Sequence, residues 1–81
     1  MYYATGMQKS SRTEKDLPEI LKGLRISSNL TQKQVAEKLG VIQQTYQAYE
    51  LGACLPSLEK FIKLAEIFDV SLDYLIGRKE Y

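Results

Sequence analysis

The chain has 81 residues, of which 44% are hydrophobic and 26% charged, and its formal net charge is +1. This length has room for one small domain with a single core, and the composition is that of an ordinary globular protein rather than a disordered chain. No apolar run approaches the roughly 18 residues of a membrane span. The amino terminus also lacks the pattern of a secretion signal, so we expect a cytoplasmic protein with no membrane partner.

The residue types that most catalytic and metal sites need are scarce. The chain contains no histidine and one cysteine, Cys54. Histidine is the commonest general base and a frequent zinc ligand, and one cysteine cannot form an internal disulfide. We therefore expect no enzymatic activity, no cofactor, no metal and no small-molecule ligand. We interpret Cys54 as a small apolar loop residue rather than a redox switch.

The first 15 residues are polar and show no apolar periodicity, which predicts a flexible arm. Met7 is a candidate native start, in which case residues 1–6 are not native; alternatively, Tyr2 and Tyr3 belong to a native arm. Residues 16–77 are predicted to form the folded domain. Residues 78–81 are predicted to be a short tail.

Five helices are predicted within the domain, with no sheet. The first spans Pro18–Ser28, capped by Asp16 or Leu17, and Asn29 ends it. The second spans Gln32–Leu39 and the third Gln43–Leu51. Thr31 caps the second, Gly40 and Gly52 provide the left-handed exits, and three residues separate the two helices. A fourth helix follows the cap Ser57 and ends at Asp69-Val70, and a fifth runs from the cap Ser71 to Ile76 before Gly77.

The predicted core comes from apolar residues at helical spacing. The first helix contributes Leu17, Ile20, Leu21 and Leu24, and the second and third contribute Val35, Ala36, Leu39, Val41, Tyr46 and Tyr49, with Tyr46 at the core edge. The fourth helix contributes Leu58, Phe61, Ile62, Ala65 and Phe68.

The start of the third helix is polar and uncharged. Gln43, Gln44, Thr45 and Gln47 fall on its outward face, opposite the core positions. A glutamine amide carries a donor and an acceptor side by side, and it can bond bidentately to adenine N6 and N7 in the major groove. These side chains are therefore candidate base contacts, and the alternative is an ordinary solvated face.

Phosphate contacts require donors or positive charge. The candidates are Lys33, Lys38, the Thr45 hydroxyl and the backbone N–H groups at the starts of the second and third helices. The segment 31–58 is neutral overall, since Lys33 and Lys38 are balanced by two glutamates.

From about Leu17 to Gly77 the chain resembles the phage-repressor and Cro type of helix-turn-helix domain, the Xre-like or lambda-repressor-like family. The matching residues are Leu24-Arg25, Leu30-Thr31-Gln32, Ala36, Gly40-Val41, Tyr49-Glu50 with Gly52, Pro56-Ser57 and Val70-Ser71-Leu72-Asp73-Tyr74-Leu75-Ile76-Gly77. The resemblance implies a compact five-helix, all-α domain with the helix-turn-helix at helices two and three.

The resemblance also implies residue roles. Gln32 would contact the DNA backbone and brace the third helix, Gln43 and Gln44 would touch base edges, and Arg25 would pair with Glu50. Tyr49 is interpreted as a core-edge residue whose hydroxyl is a candidate phosphate contact. The chain departs from the family pattern at Ile42, where a Ser or Thr cap is usual, at Tyr46, and in the uncharged loop Ala53-Cys54-Leu55.

These patterns predict sequence-specific binding of double-stranded DNA by a transcriptional regulator of the repressor type, acting as a homodimer. The dimer expectation rests on the apolar residues of the fifth helix, Leu72, Tyr74, Leu75 and Ile76. The alternative is a protein-interaction module of the same fold, an antitoxin or antirepressor partner with weak DNA binding, which the neutral segment 31–58 favours.

Overall fold

The computed structural model describes residues 17–76, which form five helices and contain no strand. The all-α prediction is confirmed. The helices are α1 (residues 17–27), α2 (Gln32–Leu39), α3 (Gln43–Leu51), α4 (Leu58–Phe68) and α5 (Leu72–Leu75). The predicted arm, the candidate cap Asp16, Gly77 and the tail lie outside the described residues.

The helix boundaries follow local signals in the sequence. The predictions for α2 and α3 are confirmed at both ends. α1 ends one residue before the predicted Ser28, and α5 ends one residue early because Ile76 (φ −90°, ψ 6°) is its C-cap. None of the helices within residues 17–76 has the length and apolar character needed to cross a membrane.

Side-chain caps begin three of the helices. Thr31 and Gln34 form a reciprocal capping box at α2, in which the Gln34 N–H donates to Thr31 Oγ1 (3.0 Å) and the Thr31 N–H donates to Gln34 Oε1 (2.8 Å). Ser57 and Ser71 accept hydrogen bonds from the first turns of α4 and α5. Each cap satisfies an N–H group that has no partner inside its own helix.

Four helices end in the same way, with a residue in the left-handed conformation. Gly40 (φ 83°) and Gly52 (φ 78°) do this for α2 and α3, while Asn29 (φ 59°) and Asp69 (φ 56°) do it for α1 and α4. In each case the next residue donates its N–H to the carbonyl five residues earlier, at distances of 2.9–3.1 Å. This bond closes the helix and turns the chain within two residues, so the connections stay short.

The core lies where α1, α2, α3, α4 and α5 meet. α2 packs against α3 and α4, and α4 packs against α5. The buried residues are Leu17, Leu21, Val35, Ala36, Leu39, Tyr46, Tyr49, Leu64, Ala65, Phe68 and Leu75. Most of the predicted core positions of α1, α2 and α3 are therefore confirmed, with Ile20, Leu24 and Val41 packed at the margin.

The prediction of which α4 residues face the core was partly wrong. Leu58 and Ile62 are 67% and 46% exposed, whereas Leu64, which the predicted stripe omitted, is completely buried. Successive residues turn by about 100° around a helix. The face that meets α2 and α5 is centred between Phe61, Leu64 and Phe68, and this orientation leaves Leu58 and Ile62 beyond its edge.

The left-handed Asp69 predicts a stabilising substitution. Residues with a Cβ occupy this conformation at a cost of about 1–2 kcal/mol, which glycine avoids. Glycine also gives the unfolded chain more conformational entropy, and this offsets part of the gain. We expect Asp69→Gly to raise the free energy of unfolding by about 0.5 kcal/mol and Asp69→Ala to lower it by about 1 kcal/mol, measured by urea denaturation. Asp69→Asn is the control for charge and should change little. A more stable Ala variant would contradict the backbone explanation.

Candidate nucleic-acid interface

A three-residue turn, 40–42, joins α2 to α3. The buried Ala36 lies where α2 approaches its neighbours, and the left-handed Gly40 donates its N–H to the Ala36 carbonyl at 2.9 Å. Tyr46 and Tyr49 anchor α3 in the core, with their rings edge to face and centroids 6.2 Å apart. α3 is thereby fixed along one side, and its opposite side faces solvent.

Three amide side chains occupy the solvent-facing side of α3. Gln43, Gln44 and Gln47 are exposed, and no hydrogen bond within residues 17–76 engages their amides. Thr45 between them is half-buried. The predicted base-contacting side chains therefore form a row of free donor and acceptor groups on one rigid helix.

The amino end of α3 has no side-chain cap. Ile42 is the N-cap residue and is 67% exposed, and it contributes only its carbonyl, which accepts from the N–H groups of Thr45 and Tyr46. The N–H groups of Gln43 and Gln44 have no partner among residues 17–76. Unpaired N–H groups at the start of a helix attract a negatively charged group of another molecule, such as a phosphate.

Gln32 and Lys33 form the first turn of α2, and the Gln32 amide contacts Glu50 in the last turn of α3. Lys33 is exposed, and Gln32 is half-buried because its side chain turns toward α3. Lys38 lies in the last turn of α2, at the opposite end of that helix from Lys33. The structure thus places Lys33, rather than Lys38, at the same end of α2 as the bracing residue Gln32.

The carboxylate of Glu50, in the last turn of α3, is the centre of a polar cluster. Arg25 of α1 donates from Nε to Glu50 Oε2 at 2.7 Å and from Nη2 to Oε1 at 3.3 Å. Gln32 of α2 donates from Nε2 to the same Oε1 at 3.1 Å. Three helices therefore meet at one carboxylate, and Arg25 also donates from Nη1 to the carbonyl of Leu30 at 3.1 Å, which ties the loop between α1 and α2 to the cluster.

This cluster is shielded from water. The Glu50 side chain is only 4% exposed and that of Arg25 is 15% exposed. Burial alone raises the pKa of the Glu50 carboxyl, but the hydrogen bonds from Arg25 and Gln32 and the nearby Tyr46 hydroxyl outweigh burial and lower the pKa overall. The same hydrogen bonds to Glu50 raise the pKa of Arg25. The pair is therefore charged at neutral pH and holds α3 to α1.

Tyr46 is completely buried, whereas the sequence predicted a position at the edge of the core. Its hydroxyl lies close to the Arg25–Glu50 pair but makes no hydrogen bond within the described part of the chain. Burial and the neighbouring Glu50 carboxylate raise the pKa of Tyr46 well above its usual value. Nothing in the sequence indicated that the hydroxyl would lie beside this carboxylate.

Tyr49 also lies in the core, at 6% exposure. Burial raises the pKa of its phenol, and the nearby Cys54 side chain adds to this shift. The predicted site residues therefore fall into two groups. One group is exposed and consists of Lys33, Gln43, Gln44 and Gln47. The other is buried or braces α3 and consists of Arg25, Gln32, Tyr49 and Glu50. The bracing role expected for Gln32 corresponds to its hydrogen bond with Glu50, whereas sequence reasoning did not identify Glu50 as its partner or the Leu30 carbonyl as an acceptor for Arg25.

A family model described as "Helix-turn-helix" matches residues 21–75. The chain belongs to the helix-turn-helix family. The resemblance drawn from the sequence motifs is therefore confirmed, and the helix-turn-helix unit is α2, the 40–42 turn and α3.

Several curated proteins resemble this helix-turn-helix chain. It is 47% identical over 58 residues to the uncharacterized HTH-type transcriptional regulator YqaE of Bacillus subtilis (strain 168), covering 72% of the chain and 50% of that protein. It is 42% identical over 57 residues to YobD of the same organism, a protein with the same description, covering 70% and 51%. It is 37% identical over 62 residues to the cryptic phage CTXphi transcriptional repressor RstR of Vibrio cholerae, covering 76% and 55%. The chain spans about half the length of these relatives, and no solved structure matches it significantly.

The buried Glu50 carboxylate predicts acid sensitivity in this helix-turn-helix domain. Because its pKa in the folded chain is lowered, its contribution is complete above the unfolded pKa of about 4.3 and is lost as the pH falls through the folded pKa. We expect Glu50→Gln to cost about 3 kcal/mol at pH 7, since Arg25 then lacks its counter-charge. The difference between parent and variant, from denaturant melts at pH 7 to 3, should shrink toward acid pH. A constant difference would mean that the charge is not what Glu50 contributes.

We predict that removal of the Tyr46 hydroxyl is harmless, because the cost of burying it without a partner outweighs its support of the Glu50 carboxylate. A buried hydroxyl without a partner costs about 1–3 kcal/mol, whereas the ring packs in the core. We expect Tyr46→Phe to leave the thermal midpoint unchanged or raise it, with Tyr46→Leu as the control that removes the ring and destabilises. A clear loss of stability in the Phe variant would show that the hydroxyl supports Glu50 through a real hydrogen bond.

Proposed function

We propose that this chain binds double-stranded DNA sequence-specifically and acts as a transcriptional regulator of the repressor type. The observation that carries the proposal is the row of free amides of Gln43, Gln44 and Gln47 on an exposed helix that the Arg25–Glu50 pair holds in place. Amide side chains at fixed positions suit base-edge readout in the major groove. The relatives named as transcriptional regulators, including a phage repressor, support the same function.

The charge distribution supports DNA binding better than the formal neutrality of segment 31–58 suggests. The negative charge of Glu50 is buried and neutralised by Arg25. The exposed charges of α2 and α3 are then Lys33, Lys38 and Glu37, which leave this surface positive by one unit. The uncapped N–H groups of Gln43 and Gln44 add a further attraction for phosphate.

Repression by such a domain requires only occupancy of a promoter site, and we propose no catalytic step. The family consists of transcription regulators rather than enzymes. Within residues 17–76, no three histidine, cysteine or carboxylate side chains gather in a way that could hold a metal ion. We expect the cytoplasm as the place of action, because a transcriptional regulator has to reach the DNA that it binds.

Removing the amides tests the base-reading role. On an operator obtained by in-vitro selection from random duplexes, we expect Gln43→Ala and Gln44→Ala each to weaken binding by about 1–3 kcal/mol, the value of one good bidentate pair. Binding to non-specific DNA and the thermal midpoint should change little, because both side chains are exposed. Adenine is the expected base at one or both of the affected positions.

Lys33→Ala is the matched control, since it should remove a phosphate contact instead of a base contact. It should weaken all sequences about equally and lower the salt slope of binding by about one unit. If both glutamine variants bound the operator as tightly as the parent, α3 would not be the reading helix.

A protein-interaction module of the same fold is the second candidate, as an antitoxin or antirepressor partner. The observation that favours it is the group of exposed apolar side chains at the end of α3, in the following loop and at the start of α4, namely Leu51, Leu55 and Leu58. Titration with random duplex DNA at low salt separates the two functions. A DNA binder shows salt-sensitive affinity even for non-specific sequence, and an interaction module does not.

We further propose a homodimer on a palindromic site, because one such domain reads few bases. Of the four apolar residues of the fifth helix that suggested this, Leu75 is completely buried while Leu72, Tyr74 and Ile76 are half-buried. We expect selected sites with two-fold symmetry and half-sites about 34 Å apart, or a multiple of that distance. If the selected DNA sites lacked two-fold symmetry and the protein bound them as a monomer in sedimentation experiments, the dimer proposal would be wrong.

A further inference from the structure

Ile42 is a large apolar side chain at the start of the surface that carries the free amides. It is 67% exposed, and within residues 17–76 it belongs neither to the buried core nor to the half-buried residues packed against that core. Its neighbour Val41 does pack against the core, so the two consecutive aliphatic side chains have different surroundings. Packing of the core therefore does not explain why residue 42 is aliphatic.

Local helix structure does not explain this isoleucine either. Ile42 is the N-cap residue of α3, and its side chain makes no cap hydrogen bond. Thr31, Ser57 and Ser71 hold the same position in α2, α4 and α5, and each accepts a hydrogen bond from its helix. A polar residue at position 42 would stabilise α3 in the same way. A residue that follows neither the local nor the core preference is more often retained for function.

The side chains next to Ile42 indicate what it would meet on DNA. Gln43 and Gln44 follow it directly in the chain, and both are exposed. Consecutive Cα atoms are about 3.8 Å apart, and successive bases along one strand of a duplex are about 3.4 Å apart. When Gln43 and Gln44 approach base edges in the major groove, Ile42 therefore lies within about one base-pair step of those edges.

The major-groove edges of the four bases include one apolar group. Guanine presents two acceptors there, cytosine a donor and adenine one of each, whereas thymine presents an acceptor and its C5-methyl group. An aliphatic side chain that covered a polar edge would displace water without replacing its hydrogen bonds. Contact with a methyl group instead removes apolar surface of both partners from water. Thymine is thus the base that an exposed isoleucine can favour.

We propose that Ile42 is a specificity-determining residue that reads the C5-methyl group of a thymine in the major groove, within one base-pair step of the bases contacted by Gln43 and Gln44. This inference rests on the proposed DNA-binding function and names one further base of its site. The amides select bases by hydrogen bonds. The isoleucine adds an apolar contact, which favours thymine over cytosine because cytosine has no methyl group.

Deoxyuridine isolates the methyl contact, because it lacks only the C5-methyl group of thymidine and pairs with adenine in the same way. On an operator obtained by in-vitro selection, each thymidine is replaced singly by deoxyuridine, and the affinity is measured by fluorescence anisotropy. We expect at least one replacement to weaken binding about four-fold, the value of one buried carbon group. Equal affinities for all the substituted operators would overturn the proposal.

Three variants test whether Ile42 makes that contact. In Ile42→Ala the ratio of the affinities for the thymidine and deoxyuridine operators should fall from about four to about one, whereas Ile42→Val keeps a branched side chain and should keep most of the ratio. Leu51→Ala is the matched control, because Leu51 is 72% exposed at the other end of α3 and should not affect the ratio. A ratio that persisted in Ile42→Ala, or that Leu51→Ala also abolished, would contradict the assignment.

Ile42→Ser separates base reading from folding. The serine supplies the missing cap of α3, so we expect the thermal midpoint to rise while the discrimination between thymidine and deoxyuridine is lost. A lower midpoint would show that Ile42 supports the fold, and the proposal would then be wrong.

The selection experiment distinguishes failure of the function from failure of this inference. If no sequence is enriched from random duplexes, the proposed DNA-binding function fails, and the role of Ile42 fails with it. If an operator is enriched and Gln43→Ala weakens its binding, but no replacement of thymidine by deoxyuridine does, the function stands and only the reading by Ile42 is wrong.

Discussion

The buried carboxylate of Glu50 is the constraint on which the arrangement of this domain depends. Taking a charge out of water costs several kcal/mol unless other groups replace the lost hydration. Here Arg25 supplies two donors and Gln32 a third, from two different helices, and Arg25 is itself fixed by the Leu30 carbonyl. The carboxylate keeps these partners only when α1, α2 and α3 hold one relative position. The apolar core brings the helices together, and the polar cluster selects their angle and register.

That constraint also determines what the surface can offer to DNA. Glu50 and Arg25 neutralise each other inside the domain, so Glu50 adds no negative charge to the surface. The exposed side of α3 carries amides rather than charges. Such a surface has little long-range attraction for DNA, and its contribution comes from hydrogen bonds made at contact distance. A rigid helix is then essential, since an amide pair reads a base only in one plane. The tight turn at Gly40 and the two buried tyrosines provide that rigidity.

The two ends of α3 have different chemistry. Its start is uncapped and polar, with Gln43 and Gln44 presented to solvent, whereas its end is closed by Gly52, which lies close to the side chain of Pro18. Glu50 lies between these regions, one residue after the core residue Tyr49.

The sequence by itself determined the helices, because the signals that start and end them are local. Thr31, Ser57, Gly40 and Gly52 act within four residues of their own positions, and α2 and α3 were accordingly predicted without error. The motif also indicated the family and the exposed glutamines, because outward positions follow from the helical period once one buried residue is known.

Only the tertiary structure decided the features that depend on residues far apart in the chain. Leu64 rather than Leu58 faces the core because α4 is rotated by its contacts with α2 and α5. Gln32 reaches Glu50, Tyr46 buries its hydroxyl beside that carboxylate, and Pro18 lies beside the loop after α3. Helical periodicity fixes the angles between side chains on one helix, but the angle between two helices is set by how their surfaces and buried charges fit together.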